Sequence, residues 1–238
     1  MKKIFTWLLC WLLFALPSQS QLRVFTIGDS TVQDYNDGYA PRKGWGQMFP
    51  FFFDKAKAVC YNKAVGGTSS KSFYNNQWPA VRNQLKKGDY VFIQFGINDR
   101  NSSDANRYAP KGVFEEYIEK FVKDTKNKNA IPVLVSTVRR CAWTNGKPYD
   151  SYHEHPQLMR DLAKKLELPI VDLDKFCYDL FTSQGQLYAE RFCTMHLVAG
   201  EYSNYRNGNT DQVHYQEIGA TENARFVVET IEKSSNED

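Results

Sequence analysis

Short apolar runs alternating with amphipathic stretches predict an α/β fold for this chain, a three-layer α/β/α sandwich around an open, mostly parallel sheet. Two observations carry the prediction. Runs rich in β-branched and aromatic residues recur at Leu22–Ile27, Ala58–Tyr61, Tyr90–Phe95, Ile131–Thr137 and Pro169–Val171. They are continuously apolar rather than alternating, the pattern of strands buried on both faces. Between and after them lie segments with helical spacing. Val113–Lys126 places Phe114, Tyr117, Ile118, Phe121 and Val122 on one side, and Pro156–Leu166 and Gln216–Lys233 follow the same rule. In an open sheet of this kind, ligands bind beyond the carboxyl ends of the strands. The residues just after each strand are therefore the ones to read for chemistry.

The first twenty of the 238 residues stand apart from this pattern. Lys2 and Lys3 precede the uncharged run Ile4–Ala15, Pro17 ends it, and Ser18 and Ser20 are small. This is the layout of an export signal cut near Ser20/Gln21, which predicts a signal peptide at 1–20, one domain over 21–238, and a periplasmic or extracellular protein. The apolar run is short for a membrane span, and Cys10 follows a leucine, which argues against lipoprotein processing. Without Lys2 and Lys3 the balance is 28 basic against 27 acidic residues, a net charge of +1 in place of +3. That balance asks for neither nucleic acid nor an anionic membrane. Cys60, Cys141, Cys177 and Cys193 remain, an even number for an oxidising compartment. One or two disulfides or buried thiols both fit, and the spacing suits no zinc site.

Four segments fall where chemistry is expected. Gly28-Asp29-Ser30-Thr31 follows the first strand, and Asn62-Lys63-Ala64-Val65-Gly66-Gly67-Thr68-Ser69 follows the second. Gly96-Ile97-Asn98-Asp99 follows the third, and Asp211-Gln212-Val213-His214 precedes the last helical segment. Singly each is weak, since Gly-Asp-Ser is a common turn and Asp-x-x-His a common helix start. In this order and at these strand ends they resemble the conserved blocks of the SGNH (GDSL-like) hydrolases. The Gly-Asp-Ser-Thr block, the Ala-Val-Gly-Gly-Thr-Ser stretch and Asp-x-x-His-Tyr are similar to the rhamnogalacturonan acetylesterase branch, over most of Val24 to Ala220.

The resemblance implies a flavodoxin-like sheet and a serine esterase without metal or organic cofactor. It implies Ser30 as nucleophile, Asp211 and His214 as its partners, and an oxyanion hole from Ser30, Gly67 and Asn98. Gly67 is preferred to Gly66 because it directly precedes Thr68-Ser69. Elementary chemistry agrees with each role. A serine hydroxyl attacks only when an imidazole takes its proton, and the imidazole needs an acceptor on its other nitrogen. Asp211 lies three residues from His214, a spacing at which a tight turn or helix start puts both on one face. The block lacks Gly-x-Ser-x-Gly, so the oxyanion donors must come from several loops. Asp29 and Asp99 read as loop-shaping residues, and His153 and His155 as part of a solvated loop. Trp45, Trp78 and Trp143 are candidates for a sugar-binding cleft, and the Arg139-Arg140 pair for uronate carboxylates or for structural ion pairs.

One departure stands out: Ile97 occupies the place of a histidine in the branch's usual Phe-Gly-His-Asn-Asp block. The expected substrate is an acetylated polysaccharide or oligosaccharide, rhamnogalacturonan or related pectin first. Acetylated xylan, small acyl or lipid esters, and a non-catalytic carbohydrate-binding role are the alternatives.

Overall fold

The structure, a computed structural model, describes residues 21–149, 152 and 154–235. The expected signal segment 1–20 and His153 lie outside the described residues. Five strands form the central parallel sheet: β1 (Leu22–Ile27), β3 (Ala58–Asn62), β4 (Tyr90–Gln94), β5 (Ile131–Val135) and β6 (Ile170–Val171), in the order β3-β1-β4-β5-β6. This is the flavodoxin-like order, and the chain reverses its direction of winding at β1 and β4. The loops leaving these two strands diverge, which opens a crevice at their carboxyl ends.

Each central strand sends alternate side chains to opposite faces, as the period of two requires. Val24, Phe92, Val133 and Val135 enter one core with α4 (Leu173–Gln184) and α5 (Glu217–Ser235). Phe25, Ile27, Val91, Ile93 and Leu134 enter the other with α1 (Ser70–Asn76), α2 (Lys111–Asn127) and α3 (His155–Lys165). Phe121 of α2 is the hub of that second core, with its ring 5.1 Å from Tyr74 and Trp78 and 5.4 Å from Phe95.

A second, antiparallel sheet in the order β2-β8-β7 sits beside the crevice: β2 (Arg42–Lys43), β7 (Thr194–Leu197) and β8 (Asn209–Gln216). It carries the end of the chain back to the end of β1.

The structure differs from the sequence reading in several places. Helices α1 and α4 were not legible as apolar stripes. α1 holds few apolar residues and starts from a capping box made by Ser69 and Ser72, while α4 starts where the Asp172 side chain accepts from Lys175 N–H. His155 is no loop residue but opens α3, is 4% exposed, and places Nε2 3.1 Å from the Ala109 carbonyl. Trp45 and Trp78 are fully buried in the two cores, so neither is free for sugar stacking, while Trp143 is partly buried against the first. The four cysteines among the described residues are free thiols, and Cys141, Cys177 and Cys193 are buried in one core. Burial pushes the Cys177 thiol up to about 11, so these groups sit in the inert neutral form.

Candidate active site

Ser30 leaves β1 through Gly28 and Asp29. A Cβ at position 28 would stand 2.8 Å from the Gln94 carbonyl and 2.6 Å from Val32, so glycine is what lets this loop cross so close to β4. Asp29 then turns the chain. It is fully buried, and its Oδ1 accepts from the Thr31 N–H at 2.9 Å and the Thr31 hydroxyl at 2.8 Å. The Thr31 oxygen in turn accepts from Gln94 Nε2 at 2.7 Å, and Gln94 Oε1 accepts from the Trp45 indole at 2.7 Å. From the other side the Tyr35 hydroxyl donates to the Ser30 carbonyl at 2.7 Å. Ser30 is thus fixed by a buried polar chain running into the core. Burial raises the Asp29 carboxyl against the pull of the Thr31 donors, and its side chain makes no hydrogen bond to His214.

The loop after β3 is tied beneath this one. Asn62 accepts from the Thr26 hydroxyl at 2.9 Å and donates to the Val32 carbonyl at 2.7 Å. Two glycines follow, and the structure distinguishes them. The Gly66 N–H is occupied by the Gln33 side-chain oxygen. The Gly67 N–H has no partner in the described chain, Gly67 has φ of +76°, and a Cβ there would face open space. The Ser30 N–H is likewise unpartnered. Asn98, past the end of β4, donates from Nδ2 to the Thr68 carbonyl at 2.9 Å. That bond holds the amide in place and leaves its second N–H for the cleft that Asn98 lines with Ser30 and Gly67. Asp99 anchors the same loop: it is fully buried and accepts from the Gly96 N–H at 3.0 Å, from the Ser70 N–H at 2.9 Å and from the Ser70 hydroxyl.

Asp211 and His214 arrive on β8, not on a turn or helix start. Asp211 stands opposite Met195 and Tyr215 opposite Thr194, so β8 advances four residues while β7 advances one. This bulge brings residues three apart onto one side, which a regular strand does not do. Asp211 holds the bulge from within, with Oδ1 accepting from the N–H groups of Val213 at 2.8 Å and His214 at 3.1 Å. Its Oδ2 lies 2.6 Å from His214 Nδ1, and His214 Nε2 lies 2.9 Å from Ser30 Oγ. These contacts suit the tautomer with the proton on Nδ1 and a lone pair on Nε2 facing the serine hydroxyl. Burial acts to raise the Asp211 carboxyl, but the His214 contact and the two N–H donors outweigh it and hold it well below the usual carboxylate range.

Sequence reasoning missed Arg42. Its guanidinium donates from Nη2 to Asp211 Oδ2 at 3.1 Å, the same oxygen that meets His214. No local signal marks it, because only the pairing of Gln216 with Arg42 across β8 and β2 brings it there. Among the described residues no cluster of three or more acidic, cysteine or histidine side chains is placed to hold a metal ion.

An imidazole between a hydroxyl and a carboxylate, beside a cleft lined by Ser30, Gly67 and Asn98, is equipped for acyl transfer. Comparison with known proteins agrees. The sequence profile of the GDSL-like Lipase/Acylhydrolase family matches residues 26–199. This chain belongs to that family. As a GDSL-like acylhydrolase it is a carboxylic ester hydrolase. The matched span takes in Ser30, Gly67 and Asn98 and ends before Asp211 and His214. The rhamnogalacturonan acetylesterase RhgT of Bacillus subtilis (strain 168) is 35% identical over 214 residues, covering 89% of this chain and 90% of that one. The solved structure of YxiM from Bacillus subtilis superposes with a TM-score of 0.76 at 25% identity, over 91% of this chain and 57% of that one. The acetylxylan esterase Axe2 from Geobacillus stearothermophilus superposes with a TM-score of 0.65 over 91% of this chain and 96% of its own, and at 15% identity the likeness is one of fold.

The two neighbours Asn98 and Asp99 separate by experiment. On the oxyanion-hole assignment, Asn98→Ala should remove a donor that strengthens as charge develops on the ester's carbonyl oxygen, and turnover should fall about a hundred- to a thousandfold with the Michaelis constant and melting temperature little changed. Asp99 acts on stability. Burial, working against its Ser70 and Gly96 donors, pushes its carboxyl from 3.8 up to about 7. The folded state then holds a proton that the unfolded state releases, so this group's contribution to stability declines as pH rises from about 4 to about 7. Asp99→Asn should make the decline in melting temperature over that range shallower; an unchanged slope would contradict the assignment.

Proposed function

We propose that this protein is a serine acetylesterase that removes acetyl groups from a plant cell-wall polysaccharide, rhamnogalacturonan or related pectin first. The observation that carries the chemistry is the unbroken line Asp211 Oδ2, His214 Nδ1, His214 Nε2, Ser30 Oγ, with contacts of 2.6 and 2.9 Å. Ser30 Oγ attacks the acetyl carbonyl carbon while His214 Nε2 takes the hydroxyl proton. The ester oxygen becomes an oxyanion facing Ser30 N–H, Gly67 N–H and the Asn98 amide. When the tetrahedral intermediate collapses, His214 gives the proton to the departing sugar oxygen and an acetyl-Ser30 ester remains. Water, deprotonated by His214, then releases acetate and restores Ser30. Asp211 keeps the imidazole oriented and stabilises its charged form. With four donors on its two oxygens it is a poor proton acceptor.

Acetylated carbohydrate is favoured over long acyl esters by the surroundings of Ser30. The open clefts on its two sides carry many polar groups, among them Gln33, Asp34, Asn36, Asn101, Ser102 and Ser103, with Tyr35, Tyr39, Ile97 and Val213 as their aromatic and aliphatic members. The names of the relatives supply the polymer: RhgT and the probable rhamnogalacturonan acetylesterase YesY point to rhamnogalacturonan, while Axe2 keeps acetylated xylan as the second reading. Acetate release by the chain from acetylated pectin and acetylated xylan, each beside its deacetylated control, tests the proposal. Release from pectin exceeding that from xylan is expected, and Ser30→Ala should abolish it, by about a millionfold, without loss of fold. Failure to release acetate from either polymer would refute the function.

Export belongs to the same proposal, because the polymer lies outside the cell. It rests on the charged, apolar and small-residue layout of residues 1–20. Mass spectrometry of the exported chain should find Gln21 as the new first residue; an intact Met1 on protein confined to the cytoplasm would overturn it.

A further inference from the structure

The charge of most arginines near the crevice is already balanced. Arg42 pairs with Asp211 at 3.1 Å and Arg107 with Asp104 at 2.6 Å. Arg139 is 8% exposed and pairs with Asp174 at 2.8 Å, which makes it the structural member of the Arg139-Arg140 pair. Arg100 differs. It lines a cleft of about 470 Å³ together with Ser30, Asn98, Ser102 and His214. Its Nε donates to the Ile97 carbonyl at 3.1 Å, and its guanidinium carbon stands 5.2 Å from the centre of the Tyr152 ring. Among the described residues no carboxylate lies within ion-pairing distance of it, and no acceptor meets its two terminal nitrogens. Arg140, whose Nε donates to Gln212 at 3.1 Å, also has no carboxylate partner among them. Both charges bear on the same Tyr152 hydroxyl, as do the carboxylates of Asp29 and Asp211, the latter already bound to Arg42 and His214.

A guanidinium held along one edge and over one face, with the opposite edge free, is preorganised for a planar two-oxygen anion. The free Nη1/Nη2 edge matches a carboxylate in bidentate geometry, and the half-buried setting strengthens such a bond. We propose that Arg100, with Arg140 adding to the local positive charge, forms a carboxylate subsite that holds a uronate sugar beside Ser30. The ester cleaved is then one carried on, or next to, an acidic residue of the polysaccharide. This rests on the acetylesterase reading above and refines it: a neutral xylan backbone leaves the guanidinium without its partner, and a uronate-containing backbone supplies it.

The test uses acetylated rhamnogalacturonan oligosaccharides before and after reduction of their uronate carboxyls to neutral alcohols, with the acetyl esters restored to equal content. Wild-type enzyme should lose about ten- to a hundredfold in kcat/KM on the reduced substrate, mainly through a higher KM. Arg100→Gln should lose a similar factor on the native substrate and little further on the reduced one, so that its preference for the acid form falls toward one. Arg100→Lys, which keeps the charge without the fork, should lie between. Equal kcat/KM of the wild type on both substrates would overturn the subsite while leaving the acetylesterase reading in place. So would a loss in Arg100→Gln that is equal on both substrates. Absence of acetate release from either substrate by the wild type would overturn the acetylesterase reading and the subsite with it. The comparison of substrates on the unaltered enzyme decides the matter even where a variant fails to fold.

Discussion

The hydrogen bond from Ser30 Oγ to His214 Nε2 joins positions 184 apart in sequence, and much of the architecture serves to make it short. One partner stands in the loop just after the first strand of the parallel sheet and the other on the last strand, in chain order, of the small antiparallel sheet. Their meeting depends on β2, which runs beside β8 and contributes Arg42 to the same carboxylate that orients His214. A shift of either sheet by a fraction of an ångström would stretch a contact whose value lies in its geometry. The two cores on opposite faces of the central sheet supply the rigidity, because close-packed interiors resist such shifts.

Three carboxylates surround this bond, and their surroundings separate their roles. Asp211 meets four donors, one of them a guanidinium, and stays ionised well below the ordinary range despite partial burial. Asp29 is fully buried with donors on one oxygen only, and Asp99 is fully buried with three donors and no cation; burial wins in both and raises them. A charged group is tolerated inside a protein to the extent that donors and counter-charges replace water. Only Asp211 is so provided, and only Asp211 can hold an imidazolium as it forms. The other two order the loops that present Ser30 and Asn98.

The parallel strands were legible because strands buried on both faces read as unbroken apolar runs, and the observed bounds of β1 and β5 start where those runs start. The residues that the structure brings around the crevice were legible too, as short polar segments following strands. Local pattern did not reveal how Asp211 and His214 come onto one side. Asp-x-x-His suggests a turn, whereas the chain uses a bulge whose existence depends on pairing with β7, sixteen positions upstream of Asp211 at Met195. Arg42 and Arg100 were missed for the same reason. A basic side chain carries no mark of its partner in the sequence, and whether its charge is balanced is settled only by what folds against it. The buried tryptophans err in the opposite direction, since aromatic content alone does not separate a core from a binding wall.

The central claim is that His214 makes Ser30 nucleophilic. Covalent labelling by a fluorophosphonate, followed by peptide mapping, tests it most directly, because such a reagent reacts with a serine that a base has activated and spares ordinary hydroxyls. The account predicts one modified peptide, carrying the label at Ser30, and loss of that label in His214→Ala while the fold persists. Labelling at another serine, or undiminished labelling of Ser30 without His214, would contradict it.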